Sequence, residues 1–172
     1  MCLVIIALVV FLAYLVGIIC VFGIPASISD TYYLLEKKRK GLGWLFTAMC
    51  WLVGSLLLPA LLDMTPDHYQ FTAFLSCAGL IFVGTAPQFK LSLTGTVHYS
   101  SAGVCVVFSQ LWTALIRWWV LLPVWLSYIA CTAIAVKRQK EGVFWYKFRK
   151  TKPMFWIEIA SFAATFLAIF LK

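Results

Sequence analysis

His98, in the stretch TVHYSSAG, and the pair Ser29 and Asp30, in IPASISDTYYLLEKKRK, are the residue types from which base-assisted acyl or phosphoryl chemistry is built. An imidazole takes a proton, a hydroxyl attacks, and a carboxylate orients or stabilises. Local spacing does not assemble them, because the chain has no nucleophile elbow, no glycine-rich phosphate loop and no HExxH helix. Three readings therefore stand side by side. The first is catalytic, with His98, Ser29 and Asp30 as its parts. The second is a non-catalytic lipid-headgroup site that adds Ser27, Thr31, Tyr32 and Ser101, the last sharing a helical face with His98 and Ala102. The third is a capping network, in which Ser27, Ser29, Asp30 and Thr31 satisfy backbone groups between two helices.

The elements that must position these residues are membrane helices. At 63% hydrophobic and 12% charged, with a mean hydropathy of +0.96, the chain is far more apolar than a soluble domain, where about 45–50% and about 25% are usual. The expectation is an all-α, polytopic transmembrane bundle forming a single domain over residues 1–172. Stretches of about 20 residues, enough to cross roughly 30 Å of hydrocarbon, predict six spans, at about 2–23, 42–62, 69–89, 97–116, 118–136 and 154–171. As one helix, the apolar run from His98 to Val136 would reach about 58 Å. It is expected to fold back at Arg117, Trp118 and Trp119, since tryptophan prefers the interface and arginine reaches for water. The first segment lacks a basic leader and its apolar run exceeds that of a signal peptide, so it reads as a retained helix.

Charge sets the orientation. The loops after the first, third and fifth spans hold Lys37, Lys38, Arg39, Lys40, Lys90, Lys137, Arg138, Lys140, Lys147, Arg149, Lys150 and Lys152, twelve of the fourteen basic residues. Arg117, Lys172, Asp63 and Asp67 stay on the opposite face. The positive-inside rule then predicts a multi-pass protein of the cytoplasmic membrane with both termini outside, and it brings Ser29, Asp30 and His98 to one shared surface. The net charge of +8 is concentrated there, and each well-placed Lys or Arg attracts anionic lipid by about 1 kcal/mol. Lys37, Lys38, Arg39 and Lys40 are accordingly headgroup candidates as well as a topology anchor. Membrane lipids, mostly anionic, are the expected partners. Nucleic acid is not, because topology accounts for the charge and no folded basic module accompanies it.

Polar groups inside the spans are few. Glu158, near the start of the sixth span, is expected either to pair with a lysine or to line a polar cavity. Gln110, beside Ser109, is expected to bond across helices. His68, with Asp63 and Asp67, falls at the opposite surface from His98, so the two histidines cannot share one ion and no metal site is expected. No cofactor motif is present. The six cysteines show no CxxC pairing and read as small apolar fillers. Gly54, Gly79 and Gly84 mark places where helices approach closely. Pro59 and Pro123 fall inside spans, whereas Pro153 stands where a first-turn proline is tolerated.

IPASISDTYY and TVHYSSA resemble the two signatures of the six-pass DRAM/Frag/Sfk family and related bacterial membrane proteins, a Pro–aromatic–Ile–Ser–Asp–Thr–Gly loop and a His–x–x–Gly–Ala helix start. Pro25, Ile28, Ser29, Asp30, Thr31, His98 and Ala102 match, within a similar layout over most of the chain. One extra residue separates Pro25 from Ile28, Tyr32 stands at the family glycine, and Ser101 replaces the glycine before Ala102. The family loop is usually luminal, whereas the basic residues here place it in the cytoplasm. The resemblance implies a role in lipid or membrane homeostasis, one branch being linked to remodelling of glycolipid anchors. Sequence reasoning thus favours a protein that recognises or remodels lipid headgroups. A non-catalytic scaffold or subunit stays open, its eight Trp and fourteen Phe meeting a membrane-protein partner, as does a small transporter lacking paired intramembrane charges and inverted repeats.

Overall fold

The structure, a computed structural model, describes residues 1–171; Lys172, assigned above to the outer face, lies outside them. Among the described residues there is helix and no strand. The order is α1 (Cys2–Phe22), α2 (Thr31–Lys38), α3 (Trp44–Asp63), a 3-10 turn (Asp67–Tyr69), α4 (Gln70–Thr85), α5 (Ser92–Arg138), α6 (Phe144–Lys150) and α7 (Pro153–Phe170). Four helices, α1, α3, α5 and α7, are long and apolar enough to cross a membrane. That count differs from the six spans expected for two reasons. The 16 residues of α4 extend about 24 Å, less than a hydrocarbon thickness, because the 3-10 turn takes its beginning and the helix ends at Thr85 instead of near residue 89. In addition, the fourth and fifth spans are one 47-residue helical run that begins at Ser92.

That run is broken once. Arg117 is extended (φ −153°, ψ 64°) amid helical neighbours. Beyond it the chain reverses: Trp125 Nε1 donates to Gln110 Oε1 at 3.0 Å, whereas a straight helix would hold those residues about 22 Å apart. The two arms, 92–116 and 118–138, therefore lie antiparallel. Arg117 does not simply reach for water at the corner; its Nε donates to the Ala168 carbonyl at 3.0 Å, one of the acceptors that the end of α7 leaves without an intrahelical partner. Gln110 also donates from Nε2 to the Ser161 carbonyl on α7 at 3.3 Å, so one amide joins both arms to α7. Replacing Gln110 with leucine strands the Trp125 N–H in apolar surroundings. A loss of about 1 kcal/mol is expected, read as a lowered thermal midpoint in detergent, with Ser109→Ala nearly neutral.

The core follows helical periodicity. Val4, Ala7, Phe11, Leu15 and Ile18 form one buried stripe of α1, while Leu3, Ile5, Ile6, Val9 and Leu12 on its other faces are exposed. A helix apolar all round suits lipid on the outside. The stripe meets Phe46, Met49, Val53, Leu57 and Leu61 of α3, and Phe11 stacks against Phe162 and Phe166 of α7 at 4.3 and 6.2 Å. α4 packs between α3 and the first arm of α5. Gly79 permits that approach, since a Cβ there would lie 2.7 Å from the Cys105 nitrogen; at Gly84 it would lie 2.7 Å from Cys50 Cβ. Pro59 sits within α3 without ending it, and Pro153 opens α7.

Two short helices, α2 and α6, occupy segments whose lysines suggest loops. In α2 the basic run falls at the C-terminal turn, Lys37 and Lys38 complementing the carbonyl end. Glu36 then fastens the turn into α3, accepting from the Gly41 and Gly43 amides at 3.0 and 2.7 Å. Those two N–H groups hold its carboxyl below the ordinary glutamate range.

Candidate functional site

The loop that follows α1 is held from its far side. Gly23, at φ 71°, lets the chain leave the helix. Residues 24–28 then run over the start of α7, where Phe155 N–H donates to the Ala26 carbonyl at 3.1 Å, Lys152 Nζ donates to the Ile24 carbonyl, and Ile28 N–H donates to the Glu158 carboxylate. Inside the loop, Ser27 Oγ accepts from Asp30 N–H at 3.0 Å. Thr31 is fully buried; its hydroxyl donates to the Ile28 carbonyl at 2.5 Å and is also hydrogen-bonded to Tyr14.

These restraints present Ser29 to α5. Its Oγ lies 3.0 Å from His98 Nε2. His98 is 2% exposed and its Nδ1 lies 2.9 Å from the Ala86 carbonyl, which α4 leaves free where it ends. A carbonyl only accepts, so Nδ1 carries the proton; the neutral ring's Nε2 is then the acceptor and Ser29 O–H the donor. Phe89 covers the ring at 4.9 Å and Phe46 at 6.4 Å. A hydroxyl, an imidazole and a carbonyl are thus in hydrogen-bonded series, the arrangement that a nucleophile, a base and its orienting group would require, with a backbone carbonyl in the place a carboxylate often takes.

Glu158, on α7, accepts from the Ile28 amide beside Ser29 and lines the cavity below it. Asp30 stands at the start of α2 without a side-chain cap on it. Beneath Ser29 and Glu158 lies a narrow cavity of about 80 Å³ whose wall is apolar apart from a few hydroxyls. It follows α3 from Phe46 to Leu61, about 22 Å of helix. Cys50, Cys77 and Cys105, far apart in sequence, line it together from α3, α4 and α5; among the described residues no group of three or more His, Cys, Asp or Glu could hold a metal ion.

The remaining sequence candidates divide. Tyr32 accepts at its hydroxyl from Gln88 Nε2 at 3.1 Å, and its neighbour Tyr33, unremarked in the sequence, accepts from Lys90 N–H at 2.8 Å with Lys90 Nζ 4.1 Å above its ring. Both tyrosines therefore tie α2 to the segment that leads into His98. Lys37, Lys38, Arg39 and Lys40 are exposed around this end, Lys38 lying over the Phe22 ring at 5.6 Å. Ser101 is half-buried, and its backbone carbonyl borders the close approach of α4, 2.9 Å from where a Cβ at Gly79 would lie. Gln110 lies well down α5, away from Ser29. His68 sits in the 3-10 turn beyond the other end of α4, against the Tyr69 ring. The Ala86 carbonyl was not to be found by residue type, because every residue carries one; only the end of α4 singles it out. Compared with protein-family models, with curated proteins and with solved structures, the chain matches none.

Proposed function

We propose that the chain crosses the cytoplasmic membrane six times with both termini outside, and that its Ser29–His98 pair recognises and remodels lipid headgroups at the cytoplasmic face. The observation that carries this reading is the Ser29 Oγ to His98 Nε2 hydrogen bond, with the imidazole locked by Ala86. As Ser29 Oγ forms a bond to an acyl or phosphoryl centre, its proton passes to His98 Nε2, which returns it to the departing alcohol. The apolar cavity below accepts part of the lipid's tail, and the exposed Lys37–Lys40 rim draws anionic headgroups to the site. The resemblance of Pro25, Ile28–Thr31, His98 and Ala102 to the lipid-linked six-pass family supports the same reading.

The test compares the lipids of cells producing the intact chain with those producing Ser29→Ala, by mass spectrometry at matched protein levels. A lipid class that accumulates with the variant while its remodelled partner falls supports the proposal. Identical lipid profiles from two equally abundant proteins remove the remodelling role.

A further inference from the structure

A second site lies on the opposite side of α7 from Ser29. Glu158 and Ser161 face the inner cavity, whereas Trp156, Ile159 and Leu167 border a separate space of about 620 Å³ shared with Pro123, Ser127 and Ala135 of the second arm of α5. The space opens outward because the arm packs so little: Trp118, Leu122, Leu126, Ile129 and Ile134 are all exposed. From Pro123 to Ala135 it runs about 18 Å along the helix. One leaflet of a bilayer is about 15 Å deep, half the hydrocarbon core. The groove is thus about one acyl chain long.

Its two ends differ in charge. At the Pro123 and Leu167 end the neighbouring cation, Arg117, is engaged with the Ala168 carbonyl. The Ala135 and Thr151 end adjoins the stretch that carries Lys137, Arg138, Lys140, Lys147, Arg149 and Lys150, six basic residues against the single acid Glu141, while Lys152 is engaged with the Ile24 carbonyl. Lys137 and Arg138 close α5 within a turn of Ala135 and are exposed. The exposed aromatic residues Phe144, Trp145 and Tyr146 of α6 stand on the same rim, where interfacial side chains are favoured. A second copy of the chain is a poor occupant, since a two-fold contact would set one basic rim against another.

The geometry points to an anionic glycerophospholipid as the occupant, one acyl chain lying between α5 and α7 and its phosphate at Lys137 and Arg138. This site is independent of Ser29 and does not require that residue to react.

Native mass spectrometry of the full chain, stripped of lipid in detergent and then given dioleoyl phosphatidylglycerol or dioleoyl phosphatidylcholine, tests it. One phosphatidylglycerol per chain is expected, held about 25-fold more tightly than phosphatidylcholine, the preference that two interfacial charges supply. Lys137→Ala with Arg138→Ala should erase the preference, and Cys131→Trp or Ala135→Phe, which fill the groove, should lose the tight site. Bromine-labelled phosphatidylglycerol should quench the intact chain more than Trp156→Phe, which guards the result if a filled variant fails to fold. Equal affinity for the two lipids, undiminished binding by folded, filled variants, or dimers that carry no lipid would overturn the assignment.

Discussion

Alanine at position 98 is expected to slow labelling of Ser29 by a lipophilic fluorophosphonate by on the order of 10²-fold or more, the lower edge of what a positioned base contributes. The hydroxyl is 3.0 Å from the only nitrogen of His98 that is free to accept, because the other is committed to Ala86. Without the ring, Ser29 keeps its place, held by the backbone bonds of Ala26 and Ile28 to α7, but loses its proton acceptor. His98→Asn, whose amide reaches the Nδ1 position, separates the two roles of the ring. An amide can still donate to the Ala86 carbonyl, so most of the stability should return, yet it is no base and labelling should stay slow. The truncation itself leaves the Ala86 carbonyl without its donor, at about 1–3 kcal/mol. A Ser29 that reacts equally fast in intact, His98→Ala and His98→Asn proteins would reduce the pair to a structural tie.

The second large effect lies away from the site. Gly79→Ala should cost several kcal/mol, beyond the roughly 1–3 kcal/mol of ordinary overpacking, because the new methyl would stand 2.7 Å from the Cys105 nitrogen and 2.9 Å from the Ser101 carbonyl. Backbone cannot swing aside as a side chain does. α4 and α5 must separate, and the contact that brings the end of α4 to His98 separates with them. The same change at Gly17 or Gly103 meets nothing within 4 Å and should be neutral or mildly stabilising, alanine being the better helix former. Thermal midpoints in detergent for the three variants check this; equal midpoints would mean that α4 and α5 are not held at that distance.

Several features were legible in the sequence because their causes are local. Apolar runs without charge declare membrane-length helices wherever they occur, and Arg117–Trp118–Trp119 interrupts the longest of them in both the sequence and the backbone. Others were not. The basic residues of α2 and α6 argue for loops by composition, yet a lysine is a good helix former, and the C-terminal turn of α2 benefits from its charge. The shortness of α4 depends on a 3-10 turn and on the Ala86 exit, neither of which has a residue signature that hydropathy detects. Ser29 and His98 were singled out as chemistry, but Asp30 was the carboxylate expected beside them. Glu158 comes to the Ile28 amide beside Ser29 because the packing of α1 and α7 brings it there, and no spacing rule reaches across that much chain.

The stitches from Ile24, Ala26 and Ile28 to Lys152, Phe155 and Glu158 join residues about 130 positions apart in the chain. A nascent chain therefore holds its serine and its histidine long before the anchor that sets their alignment has left the ribosome. The register of Ser29 against His98 is thus set late, by a contact of high sequence separation, and waits on the docking of α7.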